Sequence, residues 1–205
     1  MLAEAAADLD EKQRQAVEAA IRKAETDPLP GAMDQPPAEY RLTQDAAALL
    51  AMTTAESEAV DRTTREMIER YHELERRHVS VSEDHAREVS GSPQSLASFK
   101  VTTFPSEGSA LRAEWVAQIN AALGADRAQY LLQLAASWIQ SDLGAFGEAE
   151  RTITFREGEG SAGFSDKNSH GYSYGLGTGG PAPIPPGWRH LIVRPPEGGL
   201  PGLRF

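Results

Sequence analysis

The chain has 205 residues, of which 40% are hydrophobic and 24% are charged. This length and composition allow one domain with appendages or two small domains, each with a buried core. The formal net charge is -10, which disfavours nucleic acid as a partner because affinity for phosphates requires clustered Lys and Arg. Cysteine is absent, which excludes disulfides, thiolate nucleophiles and thiolate metal ligands.

The sequence contains no segment that resembles a membrane span or an export signal. The longest apolar stretch, residues 46–52, is far shorter than the ~20 residues that a membrane helix needs. The N-terminus lacks a basic region followed by an apolar run. We therefore expect no membrane span in this chain. Its compartment stays undetermined: it is cytoplasmic as written and extracytoplasmic if the chain is a truncated or mature form.

The first 40 residues are predicted to form an N-terminal helical arm and a linker. Apolar residues at helical spacing predict a helix over residues 8–26, so the arm comprises residues 1–26. The following residues, 27–40, hold four prolines and are predicted to be a Pro-rich linker. We expect the arm to dock elsewhere or on another copy of the chain.

An α+β domain is predicted over residues 41–194. After a short helix beyond Thr43, Thr53 and Glu56 have the spacing of a capping box that begins a long amphipathic helix ending near His78. Further helices are predicted at 107–123 and 126–141. Strands are predicted at 98–104, 151–156 and 189–194, with a long Gly-rich loop at 157–187 and an irregular tail at 195–205.

These elements predict the α+β class, with three or four helices bundled at 43–141 and a small, mostly antiparallel sheet of about three strands.

Three histidines, His72, His78 and His85, suggest metal sensing as one hypothesis. Two Glu-x-x-His pairs, Glu69 with His72 and Glu75 with His78, have the spacing used in di-iron helical bundles. However, the two pairs lie on one helix and point about 120° apart. We therefore predict no metal site, no cofactor and no catalytic residue.

The Gly-rich loop carries two possible ligand sites. Gly158, Gly160 and Gly163 form a G-x-G-x-x-G after a predicted strand, but no helix is predicted to follow, as a dinucleotide site requires. The second candidate is a set of polar and aromatic residues that supply the residue types of a hydrolase or of a stacking surface: Asp166, His170, Tyr172, Tyr174 and Trp188.

The apolar faces of the helices form the candidate interaction surface. It consists of Met67, Tyr71, Leu74, Tyr130, Leu134 and Trp138. These residues are most economically core residues, and if the helices splay they would line a groove for a partner helix or an unfolded chain.

The segment Met52-Thr53-Thr54-Ala55-Glu56 resembles the Leu-Thr-x-x-Gln signature of the periplasmic helical Spy and CpxP-like family. A second segment, Leu123-Gly124-Ala125-Asp126-Arg127-Ala128-Gln129, is similar to it before the next helix. Met and Glu replace Leu and Gln in the first copy, and the second lacks Thr. The resemblance implies an ATP-independent chaperone or stress sensor that works on the helix faces at 60–78 and 127–139.

From these patterns we predict a non-enzymatic protein-interaction or sensing domain that binds a protein partner or another copy of itself. This interpretation includes the soluble part of an anchored or exported protein. The alternative is a small hydrolase or ligand-binding protein that uses the loop at 157–187.

Overall fold

The computed structural model describes residues 9–26, 42–81, 95–158, 161–168, 173–178 and 186–191. The chain divides into two compact units, the first from Met1–Arg70 and Ser109–Ile139, the second from Tyr71–Gly108 and Gln140–Phe205. The predicted α+β class with an antiparallel sheet is confirmed. The predicted linker at 27–40 and the tail at 195–205 lie outside the described residues.

Helices build the described part of the first unit. They are α1 (Glu11–Thr26), α2 (Gln44–Leu49), residues 54–70 of α3 (Thr54–His78), residues 109–123 of α4 (Pro105–Leu123), α5 (Ala125–Leu134) and the beginning of α6 (Ala136–Asp142). Their apolar stripes meet in a core, as helical periodicity dictates. The sequence predicted one helix over 126–141, whereas the structure interrupts it at Ala135 and forms α5 and α6.

Helix α1 packs inside the first unit, which corrects the expectation of an arm that docks elsewhere. Its Val17 has an exposed fraction of 0%, and the preceding Leu9 has 3%. Arg14 lies 3.8 Å from the carboxylate of Asp126 on α5. The thin apolar stripe of α1 thus finds its tertiary contact within the same unit, which a short helix needs for stability.

The predicted capping box at the beginning of α3 is confirmed. The backbone N–H of Thr53 donates to the Glu56 carboxylate at 2.8 Å, and the backbone N–H of Glu56 donates to the Thr53 hydroxyl at 3.2 Å. The Glu56 carboxylate also accepts a bond from Arg127 at 2.6 Å. One carboxylate therefore caps α3 and links it to α5.

The second unit contains a five-stranded antiparallel sheet in the order β1-β2-β3-β4-β5. Its strands are β1 (Val79–Val81), β2 (Ser95–Val101), β3 (Arg151–Gly158), β4 (Ser161–Asn168) and β5 (Ser173–Thr178). The predicted strands at 98–104 and 151–156 correspond to β2 and β3. Strand β2 ends at Val101, and the Phe104 N–H instead donates to the Gly147 carbonyl at 2.9 Å.

The predicted loop at 157–187 is wrong, because it contains the end of β3, all of β4 and β5, and the helix α7 (Pro186–Arg189). Strand β4 pairs with β3 along its whole length, from Gly158 opposite Ser161 to Arg151 opposite Asn168. Small, polar residues obscured the alternation that marks a strand. Pairing with a neighbouring strand overrides weak local propensity here.

The third predicted strand, at 189–194, is also wrong in its described part. Arg189 ends α7, and His190 and Leu191 form a turn in which the Leu191 N–H donates to the Trp188 carbonyl at 3.1 Å. Residues 192–194 lie outside the described part of the chain. Buried Trp188 and Leu191 anchor this turn, so its apolar residues serve a helical turn and not a strand face.

A left-handed turn at Gly144–Gly147 fills the space beside the beginning of α4. All four residues have positive φ, including Ala145 at 53° and Phe146 at 60°. Such a backbone costs roughly 1–2 kcal/mol for each residue with a Cβ. A Cβ built on Gly108 would lie 1.6 Å from the carbonyl oxygen of Phe146. The glycine in α4 therefore permits backbone to pack directly on backbone.

We expect Gly108→Ala to lower the free energy of unfolding by roughly 3 kcal/mol, because a backbone oxygen cannot move aside as a side chain can. In an open helix the same change stabilises a protein by about 1 kcal/mol. Urea unfolding of the wild type and the variant measures the sign of the change in the free energy of unfolding. The neighbouring exposed Ser109→Ala is the control and is expected to stay within about 0.5 kcal/mol of wild type. A stabilised Gly108→Ala variant would contradict the close contact.

Candidate functional site: a buried glutamate with arginine and histidine partners

The candidate site lies in the second unit, around the last turns of α3. Helical geometry places Tyr71, His72 and Glu75 near one another, since residues three and four positions apart are neighbours on a helix surface. Arg151, the first residue of β3, and His190, in the turn after α7, come to the same place. We call His72, Glu75, Arg151 and His190 the Glu75 cluster.

The Glu75 carboxylate has a charged or hydrogen-bonding partner on each oxygen. A guanidinium nitrogen of Arg151 donates to Oε1, and Nε2 of His190 lies 2.6 Å from Oε2. The side chains are 1%, 5% and 6% exposed for Glu75, Arg151 and His190. A buried carboxylate is tolerated only when such partners compensate its lost hydration.

His72 completes the cluster by stacking on His190. The ring centroids are 3.8 Å apart, and the ring planes are inclined by 19°. His72 is partly exposed, whereas the His190 side chain is almost fully buried. The stack therefore places a partly accessible imidazole over a buried one.

The cluster moves two pKa values away from their ordinary ranges. Burial alone would raise the pKa of Glu75, but the charge of Arg151 and the hydrogen bond with His190 outweigh burial and hold that pKa at about 2. Burial lowers the pKa of His72 from 6.5 to about 3. At neutral pH, Glu75 is thus ionised and His72 is neutral.

Tyr71 connects this cluster to the aromatic core of the second unit. Its hydroxyl donates to the backbone carbonyl of Leu143 at 2.7 Å. Its ring lies against Phe104, and it meets Phe146 edge-on with centroids 6.2 Å apart. Burial and the nearby charge of Glu75 raise the pKa of Tyr71 well above its usual value. Tyr71 therefore stays protonated and acts as a hydrogen-bond donor.

Three members of the cluster could hold a metal ion. His72, Glu75 and His190 each offer one ligand atom, and these atoms all lie within 4.8 Å of one another. In the described residues, Nδ1 of His190 is buried and has no hydrogen-bond partner. Imidazole nitrogens with a carboxylate neighbour suit transition-metal ions.

The histidines that the sequence singled out do not come together. Nε2 of His78 lies 2.7 Å from Glu107, and its ring stacks on Phe104, so the suggested pair of Glu75 with His78 does not form. His85 lies outside the described residues. His72 instead meets His190, a residue that the sequence placed in a strand.

The predicted interaction surface lies largely in the cores of the two units. Met67 and Trp138 are 3% and 4% exposed in the first unit, and Tyr71 and Leu74 are 1% and 7% exposed in the second. The remaining two, Tyr130 and Leu134, are partly exposed. The four buried side chains are core residues in this structure, as their helical spacing favoured.

The predicted loop site is dispersed over several elements. Asp166 in β4 is the register partner of Tyr174 in β5. Trp188 is buried in α7. His170 and Tyr172 lie outside the described residues.

Sequence reasoning missed Arg151 and His190. A signal for Arg151 was present: in the alternating strand it occupies the same face as Ile153, whose exposed fraction is 0%. A charge on the buried face of a strand requires a partner of opposite charge. For His190 no local signal exists, because the predicted strand at 189–194 gave it an ordinary strand position.

Comparison with family models, with curated proteins and with solved structures finds no match to this chain. Among the helices in the described ranges, none has the length and apolar character required to cross a membrane. The expected resemblance to the Spy and CpxP-like family remains a prediction.

We expect acid to destabilise the protein in two steps, because both shifted groups bind protons more readily when unfolded. The contribution of His72 is complete above pH 6.5 and is lost towards pH 3, and that of Glu75 is complete above pH 4.5 and is lost towards pH 2. Between pH 6.5 and 4.5, the unfolded chain binds a proton at His72 and the folded chain does not. The free energy of unfolding therefore falls by at most about 1.4 kcal/mol for each unit by which the pH is lowered. Chemical denaturation at a series of pH values measures this slope.

His72→Gln should flatten the slope in that interval, because the variant lacks the imidazole whose pKa differs between the folded and unfolded chain. The groups that surround His72 are Glu75, His190, Arg151 and Arg76, and all of them remain in this variant. An equal slope in wild type and His72→Gln would refute the assignment.

Proposed function

We propose that the chain is a non-enzymatic sensing and protein-interaction domain, and that the Glu75 cluster is its sensing element. One observation carries this proposal: a fully buried, ionised glutamate holds the segment 186–191 through His190. The state of the cluster thereby decides whether that segment stays in place.

The energetics of the cluster favour a role beyond stability. Taking a carboxylate and a guanidinium out of water costs several kcal/mol for each ion, and apolar side chains of similar volume are often as stable or more stable. Glu75 and Arg151 therefore hold β3 against α3 at a higher desolvation cost than apolar side chains would. Strongly shifted pKa values of buried groups are also typical of functional sites.

The segment 186–191 supplies the interacting part of the proposal. Trp188 and Leu191 are 9% and 0% exposed while the segment is held. Release of His190 would free both side chains, and tryptophan is among the residues that most often anchor a protein interface. The partner is another protein or a second copy of this chain, and the acidic composition disfavours nucleic acid.

The resemblance to the Spy and CpxP-like family supports the same proposal, since that family contains stress sensors. Kinship with it is part of the proposal and rests only on the two short segments described above.

A double variant separates the loss of the Glu75–Arg151 charges from a general loss of protein stability. Glu75→Gln alone breaks the buried ion pair and leaves the charge of Arg151 without that carboxylate, which should cost about 3–5 kcal/mol of stability. Adding Arg151→Met removes that charge and should restore most of this loss. The matched control, Arg70→Met with Glu114→Gln, removes an exposed ion pair from the first unit and should change stability little, since water and salt screen such pairs.

Two measurements on these variants test the function. Hydrogen exchange in the peptide that covers residues 186–191 should be at least tenfold faster in the folded Glu75→Gln, Arg151→Met protein than in wild type. Quantitative mass spectrometry of co-purifying proteins, with self-association followed by sedimentation, should show a change for this variant and none for the control. Equal exchange and identical partners in wild type and the cluster variant would contradict the proposal.

A further inference from the structure

The two ring nitrogens of His190 have different surroundings, and this difference points to a ligand. Nε2 lies 2.6 Å from the Glu75 carboxylate. Because an ionised carboxylate only accepts hydrogen bonds, Nε2 carries the proton in this contact. Nδ1 is buried, and no described residue forms a hydrogen bond with it. A buried polar atom of this kind requires a partner.

A metal ion is a partner that satisfies this geometry. Histidines that bind metals almost always donate the second ring N–H to a carboxylate or a carbonyl, which fixes the tautomer and the ring orientation. Glu75 accepts such a bond from Nε2 of His190, and Arg151 donates to the other oxygen of Glu75. His190 is thus oriented as a metal ligand would be.

We propose that His190 and His72 bind a divalent transition-metal ion, and that Glu75 orients His190 in the site. This inference rests on the proposed function and names what the domain senses. One nitrogen of each histidine and one oxygen of Glu75 lie within 4.8 Å of one another. Ligand nitrogens lie about 2.0–2.1 Å from a bound Zn²⁺, so the two rings must reorient to reach one ion.

The chemistry of the donors selects the kind of ion. Imidazole nitrogens suit Zn²⁺, Ni²⁺ and Cu²⁺, whereas Mg²⁺ and Ca²⁺ require oxygen ligands. The guanidinium of Arg151 occupies one oxygen of Glu75 and offsets its charge. The site therefore attracts its ion through nitrogen donors and not through a concentration of negative charge.

Binding must change the histidine stack. The ring planes are inclined by only 19°, and a metal ion lies near the plane of each imidazole that binds it. His72, the partly exposed ring, must turn away from the parallel arrangement for both nitrogens to reach one ion. Metal binding would thus alter the contact between α3 and the turn at His190.

The test is a titration of the whole chain after dialysis against a chelator. Calorimetry with Zn²⁺ and visible absorption with Co²⁺ should show one ion per chain, with Co²⁺ bands of nitrogen ligation, and Mg²⁺ should show no binding. His72→Gln should bind at least about tenfold more weakly, the usual effect of losing part of a metal site. His78→Gln removes a histidine of the same helix that pairs with Glu107 and should bind as wild type does.

The wild-type measurement keeps the test decisive if a variant fails to fold. X-ray absorption of the Zn²⁺ complex should show imidazole ligation. Three results would overturn the proposal: no imidazole ligation, no Zn²⁺ binding, or equal Zn²⁺ affinity in wild type and His72→Gln.

Partner capture is carried out with a chelator present. Zn²⁺ binding can therefore fail while the dependence of partners on the Glu75 cluster persists, and each proposal can be rejected separately.

Discussion

The burial of the Glu75 carboxylate is the constraint on which the site depends. This side chain is 1% exposed and ionised, and an ionised carboxylate remains in a protein interior only when charged and hydrogen-bonding groups reach it. Its partners come from the first residue of β3 and from the turn after α7. Three parts of the chain must therefore meet at one point: the last turns of α3, the first residue of β3 and the segment 186–191. The position of His72 over His190 follows from that meeting.

The same turns of α3 also serve the apolar core of the second unit. Tyr71 lies against Phe104 and Phe146 and donates to the backbone at Leu143, directly before the left-handed turn. Phe146 belongs to that turn, and Gly108 makes room for its carbonyl. The charged cluster and the closely packed aromatic core are thus held by neighbouring residues of one helix. A core this tightly fitted resists gradual change, and in the proposed function a change in the cluster is taken up by the short segment that carries His190.

The arrangement of charges supports the proposed sensing role. Arg151 and His190 satisfy the Glu75 carboxylate, so Glu75 is not placed as a free base, and Tyr71 is held as a donor to the backbone. What the cluster offers is a ring nitrogen without a partner in the described part of the chain and a second imidazole beside it. In the proposed function, such a pair binds an ion, and binding acts on the contact that fixes the segment 186–191.

The sequence by itself determined the longer helices, the capping box and the strands β2 and β3. Thr53 and Glu56 are three residues apart, and the stripes of α3 and α4 repeat within a few residues, so their patterns are readable locally. Strands β4 and β5 were missed because glycine and serine hide the alternation, and only the pairing of β4 with β3 and of β5 with β4 defines them. Tertiary structure alone decided the Glu75 cluster, whose partners are 76 and 115 residues away along the chain. Helical period and caps depend on neighbours in sequence, whereas the compensation of a buried charge depends on whatever the fold brings next to it.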